Sequence, residues 1–166
     1  VLFRGRTVDQ AAARFLAPWY VGMPLGMLAA VQGLGGPRAT LLLMATIVVS
    51  DSGQYYTGRA FGRRPLAPAI SPKKTVEGAL GGLVLATSFI VLAGPGVFPI
   101  AGRLSLALLG ATIVLLGICG DLFESRLKRT AGVKDSSALI PGHGGVLDRI
   151  DALLFAVPAY YLYLRA

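Results

Sequence analysis

Charge is scarce in this chain of 166 residues, and the means of cross-linking it are scarcer. Asp, Glu, Lys and Arg together make up 14%, against about 25% in an ordinary soluble domain. The single cysteine, Cys119, lies inside an apolar run, so no internal disulfide framework can form, and a small buried apolar residue is its simplest role. There is no GxxxxGK[ST] phosphate loop, no GxSxG elbow and no Cys/His cluster at zinc spacing. A covalent nucleophile is therefore not indicated. The opening residues VLFRGRT include no Met and have no apolar stretch followed by a cleavage site, so no signal peptide is read there and the chain is expected to be the C-terminal piece of a longer one.

What the chain does have is hydrophobic residues, 54% of the total. A helix that crosses a bilayer needs roughly 20 mainly apolar residues. Runs of that kind extend from Phe15 to Leu34, Ala39 to Tyr56, Val76 to Ala93, Leu104 to Gly120 and Ile150 to Leu164. The expected fold class is all-α: a polytopic helical membrane protein of about five transmembrane helices, one domain over residues 1–166. Pro18 and Pro24 predict a kink in the first run. Gly78 and Gly82 give the third a face for close helix contact. Lys and Arg concentrate on the cytoplasmic side of such proteins. Placing the N-terminal segment inside puts both long polar connections, Thr57 to Lys74 and Asp121 to Arg149, on that same side, and leaves only Arg38, Arg103 and Arg165 opposite. The two connections can then form one site.

Candidate chemistry gathers at those connections. Asp51 sits at the end of the second apolar run, where a carboxylate is costly unless water, a cation or a metal meets it; an interfacial pair with Arg59 or Arg63 is the plainer alternative. Ser71 is expected to cap a helix with Pro72 at its first position. Lys73 and Lys74 would then lie in the first turn, where the helix dipole disfavours them and a phosphate would compensate. A basic cluster that holds anionic lipid explains the same residues equally well. Helical spacing puts Asp121, Ser125 and Lys128 on one face, with Glu124 beside them, and Asp148 shares a face with Asp151. The turn Pro141-Gly142-His143-Gly144-Gly145 lets a ligand approach the backbone. His143 alone would carry little weight without its glycines. The carboxylates of Asp51, Asp121 and Asp148 suit Mg²⁺, which takes one or two carboxylates and fills its remaining positions with water and phosphate; three helix-end acids with Arg neighbours are the alternative. Acids for a metal and bases for phosphates point to phosphoryl or nucleotidyl transfer by positioning and charge neutralisation. The formal charge of +8 fits a phosphorylated substrate, anionic lipid or nucleic acid, and does not choose among them.

The segment from Ser125 to Asp151 resembles the signature of the phosphatidate cytidylyltransferases, also called CDP-diacylglycerol synthases. Ser125, Lys128, Arg129, Lys134, Asp135, Ser137, Ile140, Pro141, His143, Gly144, Gly145, Asp148, Arg149 and Asp151 fill it without a gap. The segment DSGQYYTGRAFGRRPLAPAISPKKTVEG is similar to a second block of that family through Asp51, Gly58, Arg59, Gly62, Ser71 to Thr75, Glu77 and Gly78, with Gln54 where a small residue is expected. The resemblance implies a transmembrane catalytic domain that converts CTP and phosphatidate to CDP-diacylglycerol and pyrophosphate with Mg²⁺. It implies Asp121 and Asp148 as metal ligands, Asp51 as a contributor, and room for a second, monovalent cation such as K⁺. Lys73, Lys74, Lys128 and Arg129 would neutralise phosphates, while Ser71, Ser125 and His143 would position them. Thr75, Lys134, Asp135, Gly144, Gly145 and Arg149 would complete the substrate contacts. The partners implied are CTP, phosphatidate and membrane lipid, with no nucleic acid and with a homodimer allowed. The location implied is multi-pass in a membrane, the inner one in a bacterium, with the site facing the cytoplasm. The rival activities are a CTP-dependent lipid or polyprenol kinase and a cation channel or transporter; the clustered Lys and Arg at one mouth count against the last.

Overall fold

The computed structural model describes residues 18–133 and 145–166. A single π turn, Pro18–Gly22, leads into helix α1, Met23–Phe61. This helical run is not straight. Gly36 breaks it with φ 68° and ψ −173°, a conformation open to glycine, and Pro37 follows without an N–H to continue the ladder. Contacts on either side show that the chain reverses there. Tyr20 stacks near Phe123 and Phe155 at one end of the bundle, Gly35 lies against Leu164 at the other, and Gly58 is back at the first end beside Thr75. The expected kink near Pro18 and Pro24 is a π turn at Pro18, and the reversal at Gly36 lies in the gap expected between the first two apolar runs.

Two short antiparallel strands follow, β1 (Pro65–Ala67) and β2 (Ser71–Thr75), pairing Pro65 with Thr75 and Ala67 with Ser71. The all-α expectation therefore misses a hairpin. The predicted cap at Ser71 is also displaced. Helix α2, Val76–Ala93, starts four residues later and is capped by Thr75, whose Oγ1 accepts a hydrogen bond from Gly78 N at 3.1 Å. The later start keeps Lys73 and Lys74 off the positive end of the helix and places Glu77 in its first turn instead. Ser71, ahead of Pro72, is already biased towards extended backbone.

A 3₁₀ turn, Gly94–Gly96, connects to α3, Arg103–Thr130, which continues unbroken from the apolar run into the polar one. The last helix, α4, is Leu147–Arg165. The core lies where both halves of α1 meet α2, α3 and α4, around Val31, Leu43, Ile90, Ile113, Leu153 and Tyr160. Tyr160, fully buried, donates to Ala39 O at 2.9 Å. Outward positions such as Leu41, Val48, Val84, Leu92 and Leu108 are exposed and apolar. Among the described residues three stretches are long and apolar enough to cross a membrane: Pro18–Phe61, Val76–Gly96 and Arg103–Thr130. Helix α4 is not among them, since its first turns carry Asp148, Arg149 and Asp151.

Helices α1 and α2 approach each other closely through glycines. A Cβ on Gly78 would lie 2.7 Å from Gln54 O, and one on Gly82 would lie 2.5 Å from Gln54 Cγ and 2.8 Å from Ser50 O. Gly78→Ala and Gly82→Ala are each expected to destabilise by about 1–3 kcal/mol through overpacking. Gly26→Ala, with nothing within 4 Å of the added carbon, should cost little. Equal losses at Gly26 and Gly78 in detergent unfolding would show that this contact does not set the helix spacing.

Candidate active site

Close packing of α1 on α2 brings the end of one apolar run against the hairpin that precedes the next. The result is a cavity of about 440 Å³ lined by Asp51, Gln54, Tyr55, Gly58, Arg59, Ser71, Lys73, Lys74, Thr75, Gly78, Ala79 and Asp121. Six sequence-predicted residues meet here: Asp51, Ser71, Lys73, Lys74, Thr75 and Asp121. The Lys74 ammonium forms an ion pair with Asp121 Oδ2. Burial pulls the Lys74 side chain below the ordinary lysine pKa, and the charges of Asp51 and Asp151 oppose that shift.

The hairpin is held in place by Glu77, whose Oε2 accepts from Arg63 N at 3.0 Å and Arg64 N at 3.2 Å. A further backbone bond, Val76 N to Arg64 O at 2.9 Å, closes its base. Glu77 thereby fixes the strand that carries Lys73 and Lys74, a role hidden in the sequence because its partners are backbone groups 13 and 14 residues away.

A second group stands beside the first, on α3 and α4. Lys128 Nζ donates to Asp148 Oδ1 at 2.5 Å and to Glu124 Oε2 at 3.2 Å, and Gly145 N donates to Asp148 Oδ2 at 2.7 Å. Lys128 thus links Asp148, on α4, to Glu124, one turn along α3 from Asp121. Ser125 Oγ lies 3.4 Å from Asp121 Oδ1. The expected face of Asp121, Ser125 and Lys128 thus splits its contacts: Asp121 looks to the cavity and Lys128 to α4.

Glu124, read only as a neighbour, proves to be the buried member, 1% exposed. Its Oε1 has no hydrogen-bond donor among the described residues, and the carboxyl of Asp151 lies beside it. Arg129 does not join either group, since it donates to Val133 O at 3.4 Å near the helix end. Arg149 is exposed in the first turn of α4. Lys134, Asp135, His143 and Gly144 lie outside the described residues.

Gln54 is another residue the sequence undervalued. Its Nε2 donates to Ser50 Oγ at 3.1 Å and lies 3.4 Å from Asp51 Oδ1. The i+3 and i+4 spacing on one helix was the available signal.

Among the described residues no three His, Cys, Asp or Glu side chains form a ready metal cage. The donor set fits a different kind of cation site. Asp51 and Asp121 face one hollow with basic groups beside them, which suits an ion that completes its shell with water and phosphate oxygens.

The model of the Cytidylyltransferase family matches residues 3–166. The chain is 50% identical over 130 residues to the phosphatidate cytidylyltransferase of Haemophilus influenzae, across 74% of this chain and 45% of the relative. It is 47% identical over 134 residues to that of Pseudomonas aeruginosa, across 78% and 49%. To that of Bacillus subtilis it is 39% identical over 165 residues, across 95% and 60%. The chain spans about half the length of the curated relatives it matches.

Glu77→Gln is expected to loosen the hairpin, because the amide oxygen is a weaker acceptor for the two backbone N–H groups. Tryptic cleavage after Arg63 should speed up severalfold while the helical content is kept. An unchanged cleavage rate would mean that the Glu77 carboxylate does not hold this segment.

Proposed function

The chain belongs to the cytidylyltransferase family, and we propose that it supplies the catalytic part of a phosphatidate cytidylyltransferase, joining CTP and phosphatidate into CDP-diacylglycerol and pyrophosphate. The observation that carries this reading is the cavity in which Asp51 and Asp121 stand with Lys73 and Lys74 at the mouth of an apolar helical bundle. Such a hollow can hold two phosphorylated reactants, one from water and one from lipid.

In the reaction proposed, a phosphate oxygen of phosphatidate forms a bond to the α-phosphorus of CTP, and the bond from that phosphorus to the bridging α–β oxygen breaks. Pyrophosphate leaves with the electron pair. The attacking oxygen is already ionised near neutral pH, so the protein needs no covalent nucleophile, in keeping with the absence of the relevant motifs. Its work is to bring two anions together and to stabilise the charge that builds on the leaving group. Lys73 and Lys74 face the cavity from β2 and would bind phosphate oxygens, with Ser71 as a hydroxyl donor from the same strand. Lys128 would serve from the α3 side.

Mg²⁺, when bound, would neutralise phosphate charge and orient the triphosphate. Asp51 and Asp121 are the carboxylates that line the cavity and would hold it, with Asp148 as a further ligand or as a ligand of a second, monovalent cation such as K⁺. On the same reading the reversal at Gly36 divides α1 into two crossings, so that with α2, α3 and α4 the chain crosses the bilayer five times. Both polar connections then face the cytoplasm, where CTP is found.

Labelled CTP separates this activity from the rival lipid kinase. Label at the α-phosphorus should appear in the lipid product, whereas label only from the γ-position would establish phosphoryl transfer instead. Asp121→Asn and Asp148→Asn are each expected to lower turnover by about a hundredfold or more while the protein stays folded in detergent. Full Mg²⁺-dependent activity in both variants would remove these carboxylates from the mechanism.

A further inference from the structure

Two of the carboxylates argued to hold a cation are each in contact with a lysine argued to hold a phosphate. Lys74 is paired with Asp121, and Lys128 Nζ is 2.5 Å from Asp148 Oδ1. Both lysines come from other elements than their acids: Lys74 from β2 onto α3, and Lys128 from α3 onto the first turn of α4. These are tertiary pairs, set by the fold and not by neighbouring positions on one helix.

A carboxylate cannot serve a divalent cation and a contacting ammonium equally well, because the two positive charges would stand a few ångströms apart. Nor can an ammonium held on a carboxylate give its full charge to a phosphate. We propose that Lys74 and Lys128 are exchangeable counter-ions: each neutralises the acidic group it contacts, and each is passed to a substrate phosphate when a cation takes over that acid. The proposal rests on the nucleotidyl-transfer reading of the site and adds to it a rule for the order and coupling of binding.

The lysine side chain suits this exchange. It is a compact charge on a flexible four-carbon stem, able to swing between partners without moving the backbone. Lys74 lines the cavity beside Lys73 and Ser71, so a short swing keeps it among groups that would face a phosphate. Lys128 has a second acid in direct contact on its own helix. Glu124, 1% exposed and on the same helix, holds Nζ at 3.2 Å and keeps the ammonium tethered after Asp148 lets go. Glu124 is thus a positioning residue for Lys128, which accounts for a buried carboxylate that lies outside the cavity lining.

Binding of cation and binding of anion must then favour one another, since coupling between two sites is reciprocal. The paired acids hold the lysines in reserve, and an anion arriving without a cation meets basic groups that are already engaged. A direct consequence runs against the usual expectation for loss of a metal ligand. Removing the acid should strengthen metal-free anion binding.

The test is a double-mutant cycle on the full chain in detergent, with pyrophosphate titrated calorimetrically in the presence of EDTA. Asp121→Asn should bind pyrophosphate about threefold to fivefold more tightly than the unaltered protein, the scale of a partly exposed ion pair. That gain should vanish when Lys74→Met is added, because there is no ammonium to release. In the converse arm, Mn²⁺ binding without any anion, read by the loss of its free-ion paramagnetic resonance signal, should tighten in Lys74→Met. The proposal is overturned if Asp121→Asn binds pyrophosphate no better than the unaltered protein, if the gain persists in the Lys74→Met background, or if Mn²⁺ binding is unmoved by Lys74→Met. Should pyrophosphate fail to bind at all, with or without Mn²⁺, the nucleotidyl-transfer reading falls together with it. Normal pyrophosphate binding with no exchange sinks the coupling alone.

Discussion

Charge placed at the mouth of an apolar bundle has to be answered by opposite charge, and that requirement organises the polar end of this protein. Asp51, Asp121, Glu124, Asp148 and Asp151 gather towards the polar end of the bundle, and the lysines paired with Asp121 and Asp148 arrive from different elements. An isolated ion there would face a desolvation cost of several kcal/mol. Each acid therefore constrains where a strand or helix can sit, and the pairs between elements work as locators as much as attractions.

The rest of the fold supplies the geometry that lets those charges meet. The glycines of α2 allow α1 to approach until Gly78 and Gly82 touch the backbone and side chains of Ser50 and Gln54. That contact sets Asp51 beside the hairpin. The hairpin is in turn fixed by Glu77 and by the Thr75 cap, so that Lys73 and Lys74 are presented from an extended strand and not from a helix end. A strand turns successive side chains to opposite faces, yet Lys73 and Lys74 both line the cavity, which the length and flexibility of the lysine stem permit. Aromatic packing of Tyr20, Phe123 and Phe155 closes the bundle behind the buried Glu124.

Several features could be read from local pattern and several could not. The unbroken passage of α3 from apolar to polar residues follows from its lack of Pro and its steady helical spacing, and the structure has it as one helix, Arg103–Thr130. The start of α2 was misplaced because Ser71-Pro72 and Thr75 are both acceptable cap sequences, and the choice between them was made by Glu77 reaching Arg63 N and Arg64 N across the hairpin. The reversal at Gly36 falls in the short gap, Gly35 to Arg38, between the first two apolar runs, where a positive φ at one glycine followed by Pro37 turns the chain within a few residues. Gln54 departs from the small residue expected at its position; its contacts with Ser50 and Asp51 follow helical spacing, and the tertiary setting adds that it stands at the cavity wall.

From its sequence alone this protein is an apolar, mainly helical chain with two basic connections and a set of acids at fixed intervals, because hydrophobic runs and helical periods are local properties that survive without knowledge of the fold. The sequence also carries the family, since a signature is a matter of residue order. Which acid meets which base was decided by the tertiary structure. Lys74 is far along the chain from Asp121, as Lys128 is from Asp148, and nothing in residue spacing distinguishes those pairings from others of the same charge. Only packing could select them, through the close approach of α1 to α2 and of α3 to α4 that brings each ammonium into contact with a carboxylate from another element.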